Sequence, residues 1–191
     1  MDISLFSIMT AFIALFIVMD PFSSVPVFLS LTKKFTPKQR QDAAWVAGAV
    51  AALVLFGFLF TGPALLSIMG IRMESFEIGG GILMLLISIS FALGIGMGKT
   101  EDTPIEAVII GVPMLSGPGT MLATLLLANS VGLANTVIAS ALCCVASYLV
   151  ILSSSHVYKI IGKNGLEILS RVAGVLLAAF AVEFIRRGLG M

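Results

Sequence analysis

The stretch Asp20-Pro21-Phe22-Ser23-Ser24-Val25-Pro26 sets a carboxylate, two hydroxyls and two prolines inside an apolar run that extends from about Leu5 to Leu31. As one helix those 27 residues would be about 40 Å long, more than the ~30 Å hydrocarbon core of a bilayer. The run must tilt, bend or break, and the proline-bearing stretch is the place to break. Asp before Pro reads as N-cap followed by N1, the signature of a helix that starts afresh. Nearly a hundred residues later, Leu115-Ser116-Gly117-Pro118-Gly119-Thr120 interrupts a second apolar run, with Gly117 and Pro118 in the same register. The two read as facing breaks around one shared site.

Composition places the chain in a membrane. It is 59% hydrophobic and 11% charged, with a mean hydropathy of +1.12, whereas a soluble domain carries about 25% charged residues. At 191 residues it forms a single transmembrane domain. A net charge of +1 and the absence of a basic cluster with interleaved aromatics set nucleic acid aside as a partner. Met1-Asp2-Ile3-Ser4 lacks the positive flank of a secretory leader, so the first apolar run is expected to be retained.

Six helical spans follow, an all-α membrane fold. Span one ends before Lys33, Lys34, Lys38 and Arg40, and Thr36-Pro37 opens the next helix. Span two covers about Ala43 to Gly62, with Ala43, Ala44, Gly48, Ala51 and Ala52 offering a small-residue face. Span three, about Phe76 to Gly96, opens on Gly79-Gly80-Gly81 and exits through Gly94-Ile95-Gly96-Met97-Gly98-Lys99-Thr100. That exit ends like a phosphate loop, but Leu93 stands where the spacing needs glycine, so it reads as a glycine-rich helix end. Span four runs from about Ile105 to Ala128 with Pro113 and the second break inside it, span five from about Asn135 to Leu152, and span six from about Leu166 to Ile185.

The links after spans one, three and five carry Lys33, Lys34, Lys38, Arg40, Lys99, Lys159 and Lys163, with Arg171 just inside span six; the other side has Arg72, Arg186 and Arg187. By the positive-inside rule the basic links face the cytoplasm and both termini face outside. The halves, about 1–98 and 99–191, repeat the order broken span, small-residue span, glycine-bearing span. Gly81-Ile82-Leu83 in the first half matches Gly174-Val175-Leu176 in the second, with Glu74 and Glu167 each seven residues ahead. Three spans per half make the second half enter from the opposite side. The expectation is a 3+3 inverted repeat with broken first and fourth helices, the plan of alternating-access transporters.

The breaks specify chemistry. A restarted helix presents unpaired N–H groups and the positive end of its dipole, and the helix before it presents unpaired carbonyls. In hydrocarbon such groups cost several kcal/mol unless satisfied. A small zwitterion satisfies both kinds, its carboxylate on N–H ends and its ammonium on carbonyls and Asp20. Ser23, Ser24, Ser116 and Thr120 add hydroxyls, and Pro21, Pro26, Gly117, Pro118 and Gly119 shape the backbone. Two readings of Asp20 stand side by side: ammonium ligand or proton carrier, and cap of its own helix or partner of Arg171.

The remaining polar residues read as structural. Glu183 with Arg187, and Glu167 with Arg171, have the i,i+4 spacing of ion pairs. His156 is the only histidine and lies in a polar link; Cys143 and Cys144 are neighbours in an apolar run and read as packing thiols. No metal or cofactor is expected.

The segment from Asp20 to Leu29, the glycine-rich opening of span three, and Pro113 with Ser116-Gly117-Pro118-Gly119-Thr120 together resemble the MarC family of bacterial and archaeal membrane proteins. The resemblance covers nearly the whole chain. The family often has Ile-Gly-Asn where this chain has Phe22-Ser23-Ser24, so hydroxyls stand where a carboxamide would be. It implies a six-span inner-membrane protein and small neutral amino acids, such as alanine and glycine, as the substrate class of transporting members.

Three functions remain at this stage. The first is a secondary transporter or exporter of small neutral amino acids or another small solute, driven by an ion gradient or the substrate's own. The second is a non-transporting scaffold or assembly protein whose small-residue faces serve packing, with room for self-association. An intramembrane enzyme is disfavoured, because no His/Asp cluster or Ser/His arrangement lies at membrane depth.

Overall fold

The computed structural model describes residues 3–93 and 117–191, and among these residues it is helical, without strands. The helices are α1 (Leu5–Met19), α2 (Pro21–Leu31), α3 (Pro37–Ile68), α4 (Met73–Leu93), α5 (Pro118–Val131), α6 (Leu133–Leu152) and α7 (Ser154–Gly188). Among the described residues five stretches are long and apolar enough to cross a membrane: Leu5–Leu31, Pro37–Ile68, Met73–Leu93, Leu133–Leu152 and Ser154–Gly188. The 14 residues of α5 extend only about 21 Å, too short to span alone. The first part of the expected fourth span, Pro113, Ser116, the 94–100 string and the boundary between the expected repeats lie outside the described residues.

Local chemistry explains where the helices begin and stop. α3 opens on a capping box: Thr36 Oγ1 accepts from the Gln39 N–H at 3.3 Å, and Gln39 Oε1 accepts from the Thr36 N–H at 2.9 Å. Pro37 sits at N1, where a missing N–H costs nothing. α3 ends in a Schellman turn: Gly70 has φ 67°, and the Ile71 N–H reaches back to Leu66 O at 2.9 Å.

The helix continues through Gly62-Pro63 to Ile68, past Gly62, where span two was expected to end. Gly62 is explained by a neighbour, since a Cβ on it would stand 2.8 Å from Leu125 Cδ1 of α5. α7 starts earlier than expected and takes in the polar Ser154-Ser155-His156 as a first turn. It is interrupted at Gly162, whose φ of 71° and ψ of 172° are outside helical geometry. Glu167 pairs with Lys163 at 3.9 Å rather than with Arg171, whereas Glu183 pairs with Arg187 at 3.2 Å as the spacing implied.

α1 packs against α5 and α6, α3 against α5 and α6, and α2 against α7. Ala11, Ala14, Leu15 and Met19 of α1 are buried with Ala139 and Cys143 of α6 and Leu126 of α5. The most extensive helix pair is α4 with α7, and glycines let the axes approach. A Cβ on Gly81 would lie 2.8 Å from Ala181 O and 2.6 Å from Ile185 Cγ1. One on Gly174 would lie 2.9 Å from Ser88 O and 2.7 Å from Ala92 N. The contacts are reciprocal: each glycine meets the residues seven and eleven places after the other.

Because backbone atoms block both positions, Gly81→Leu and Gly174→Leu are expected to lower the melting temperature in detergent, overpacking of this kind costing ~1–3 kcal/mol. Gly57→Ala is the control, since nothing lies within 4 Å of its Cβ; it should melt at or slightly above the parent temperature.

Candidate functional site: the paired helix breaks

Asp20 lies between α1 and α2 and is 3% exposed. Its N–H completes α1 by donating to Phe16 O at 3.1 Å. Its own backbone is left-handed, φ 34° and ψ 67°, and it is the only non-glycine residue with positive φ among those described. Aspartate tolerates this region better than most residues, because its short polar side chain bonds locally. It does so here: Ser23 Oγ donates to Asp20 Oδ2 at 2.6 Å and the Ser23 N–H to Oδ1 at 3.4 Å, and the Phe22 N–H also points at the carboxylate. Asp20 therefore caps α2, with Pro21 buried at N1. Phe16 and Phe22 close over the break edge to face, centroids 5.9 Å apart.

This corrects one expectation. The N–H groups that open α2 are directed at Asp20 itself, so they are not open to a ligand carboxylate. What remains is a buried carboxyl group that makes no ion pair among the described residues, Arg171 being exposed. A further acceptor is freed nearby: Pro26, inside α2, has no N–H to give to Phe22 O four residues back. Ser24 is buried on the same half-helix.

The second break has the opposite character. Gly117 is N-cap of α5 and Pro118 its N1, and among the described residues no side-chain hydrogen bond from the N-cap closes this end. The Thr120 and Met121 N–H groups turn back to Gly117 O at 3.0 and 3.1 Å. Gly119 faces the first break: a Cβ there would stand 3.6 Å from Val18 Cγ1, two residues before Asp20, and 3.5 Å from Ile87 Cδ1 of α4. Thr120 is buried beside it. Of the ten residues that the sequence pointed to, the structure gathers Asp20, Pro21, Ser23 and Ser24 at one break and Gly117, Gly119 and Thr120 at the other, with Pro118 opening α5 and Pro26 one turn further along α2. Ser116 lies outside the described residues.

Other neighbours were not legible in advance. Ser170 of α7 places its hydroxyl beside the Asp20 carboxylate. On α6, Thr136, Ser140, Cys143 and Ser147 recur at i, i+4, i+7 and i+11 and are all buried. The Cys143 thiol lies 3.2 Å from Met19 Sδ, and Ser147 Oγ 3.9 Å from the same sulfur. Ser140 Oγ is buried without a hydrogen-bond partner among the described residues. The helical spacing of hydroxyls was the one available signal for this stripe. Glu77 of α4, 9% exposed, is a second buried carboxylate; it packs near Gly188 of α7, away from the breaks.

Comparison with known proteins decides the family. The model of the MarC family of integral membrane proteins matches residues 5–191. The chain belongs to the MarC family. Relatives include a UPF0056 membrane protein of Aquifex aeolicus, 33% identical over 94% of this chain and 90% of its own length. One from Methanocaldococcus jannaschii is 34% identical, covering 99% of this chain and 98% of its own. The UPF0056 inner membrane protein YhgN of Escherichia coli is 31% identical over 96% of both chains. No solved structure is significantly similar to the chain. The MarC assignment and the long apolar helices together make this a multi-pass integral membrane protein.

Asparagine caps helices about as well as aspartate and also tolerates left-handed backbone, so Asp20→Asn is expected to fold with a stability change under ~1 kcal/mol. Asp20→Leu orphans the Phe22 and Ser23 N–H groups and should cost ~1–2 kcal/mol. Thermal melts of the two variants in one detergent test the difference.

Proposed function

We propose that this MarC protein is a secondary transporter or exporter of small neutral amino acids or similar small zwitterions, bound between the two breaks. The observation that carries the reading is the contrast between the two helix starts, one capped by a buried carboxyl group that has no ion pair among the described residues and the other opening on glycine, with Gly119 against Val18. In this reading the ammonium group sits on the Asp20 carboxylate and on Phe22 O, the carbonyl that Pro26 leaves without its helical donor. The substrate carboxylate sits at the start of α5, where the helix dipole favours an anion. Ser23, Ser24 and Thr120 line the space between, and small residues keep it short, which suits glycine or alanine better than a bulky solute.

An ionised carboxylate at the centre of a span costs ~2.5–3.5 kcal/mol, so its retention needs a return. Capping supplies part of it; binding a cation supplies the rest. The reciprocal approach of Gly81 and Gly174 supports the 3+3 inverted repeat, with α4 and α7 as corresponding helices. Alternating access would then rock one repeat against the other about this contact. The distribution of Lys and Arg supports cytoplasmic basic links with both termini outside. The sequence carries no nucleotide-binding motif, so an ion gradient or the substrate's own gradient drives the cycle.

Counterflow of labelled alanine or glycine into proteoliposomes tests this. Wild type is expected to exchange label. Asp20→Asn should weaken exchange roughly tenfold or more, a hydrogen bond to a charged group being worth ~1.5–3 kcal/mol, and Gly119→Leu should block it by filling the space before Val18 and Ile87. If folded wild type exchanges none of a panel of small neutral amino acids, the reading fails and a scaffold or another solute class replaces it.

A further inference from the structure

A groove of about 390 Å³ runs between α3, α4 and α5, away from the paired breaks. Its walls are Phe58 of α3, Phe76 and Leu83 of α4, and Met121 and Leu122 of α5, and Gly79 forms part of its floor. The floor is open because of that glycine: a Cβ on Gly79 meets nothing within 4 Å. Every wall lies on a helix long and apolar enough to cross the membrane or on the shorter apolar α5, so the medium outside the groove is acyl chain. One end of the groove reaches Ile71 and Ser75, at the turn joining α3 to α4. Between these two residues in sequence stand Arg72 and Glu74, paired at 3.2 Å and with side chains 79% and 55% exposed. The pair uses Arg72 Nε and one carboxylate oxygen, so the two guanidinium NH2 groups keep donors for a further acceptor, and the Glu74 carboxylate, which also accepts from its own backbone N–H, keeps lone pairs for a further donor.

We propose that this groove is a lipid site that seats one acyl chain of a phospholipid with a zwitterionic, amine-bearing head group. The tail lies along Gly79 between Phe58 and Leu122, the phosphate takes the free guanidinium N–H groups of Arg72, and the ammonium takes Glu74. The head group thus matches the ion pair charge for charge, which a purely anionic head group does not: its phosphate would find Arg72, but nothing would answer Glu74. Met121 and Leu122 belong to the half-helix that starts at Gly117, so the lipid buttresses α5 from the membrane side while the paired breaks hold its N-terminus. The proposal does not depend on what the protein transports.

The test uses the full chain, delipidated in detergent, with melting temperature read against added lipid. Phosphatidylethanolamine is expected to raise the wild-type melting temperature by about 3 °C or more, and phosphatidylglycerol by clearly less. Gly79→Phe fills the groove and should abolish the increment from both lipids. Glu74→Gln should erase the preference between the two lipids, whereas Arg72→Gln should lower both increments and keep the preference. The increment within each variant is what is read, so a change in baseline stability does not blur the outcome. Equal increments from both lipids in wild type, or an undiminished increment in Gly79→Phe, would overturn the site. An increment that follows protein concentration and dimer formation, and is lost in Gly79→Phe, would assign the groove to a second copy of the chain and overturn the lipid.

Discussion

In hydrocarbon no water is present to satisfy a broken helix, and that constraint governs this molecule. Breaking the first span at Pro21 frees N–H groups at the start of α2, and the chain answers with a single side chain. The carboxylate of Asp20 gathers the Phe22 and Ser23 N–H groups and the Ser23 hydroxyl. The left-handed backbone of Asp20 lets one residue be C-cap of α1 and N-cap of α2 at once, so the break takes no intervening loop. The cap is local, so the break holds without an ion pair among the described residues. The second break is built differently, with glycine at the cap and so no side-chain acceptor from the N-cap residue itself.

Around these two solutions the packing is close on every side that matters. α6 presents small and hydroxyl-bearing residues to α1, which brings the Cys143 sulfur onto Met19 next to Asp20. Arg40 fastens the far end of α2, donating to Thr32 O and to Ser155 Oγ at 3.0 Å each and so joining the end of α2 to the start of α7. Both ends of this short half-helix are therefore held by polar groups while its middle lies against α6 and α7.

Much of this was legible in the sequence. Asp20-Pro21 and Thr36-Pro37 announce helix starts because capping is local chemistry, decided within four residues. The Gly81 and Gly174 correspondence was visible because a close helix contact admits no side chain and so leaves a glycine. Long-range partners were not legible. Nothing local relates Ser170 to Asp20 across 150 residues of chain, and the stripe from Thr136 to Ser147 could be seen as a helical face without showing which helix it meets. Gly62-Pro63 misled for the complementary reason: proline weakens an isolated helix, but here neighbouring packing, with Leu125 seated over Gly62, carries the helix on. Lys163 outcompetes Arg171 for Glu167 because both stand one helical turn from it, and spacing alone does not choose between them.

The union of α4 with α7 has a consequence for biogenesis. α7 follows every other helix in synthesis, so α4 enters the bilayer and waits, its glycine face bare, until the ribosome has delivered Gly174 and then Ala181 and Ile185. During that interval the bare face is a docking edge for any small-residue helix in the vicinity, and lipid must fill it temporarily. The closing of this pair joins the middle of the chain to its last described helix. A nascent protein halted before α7 would be an inserted set of helices without its most extensive contact, a natural substrate for membrane quality control.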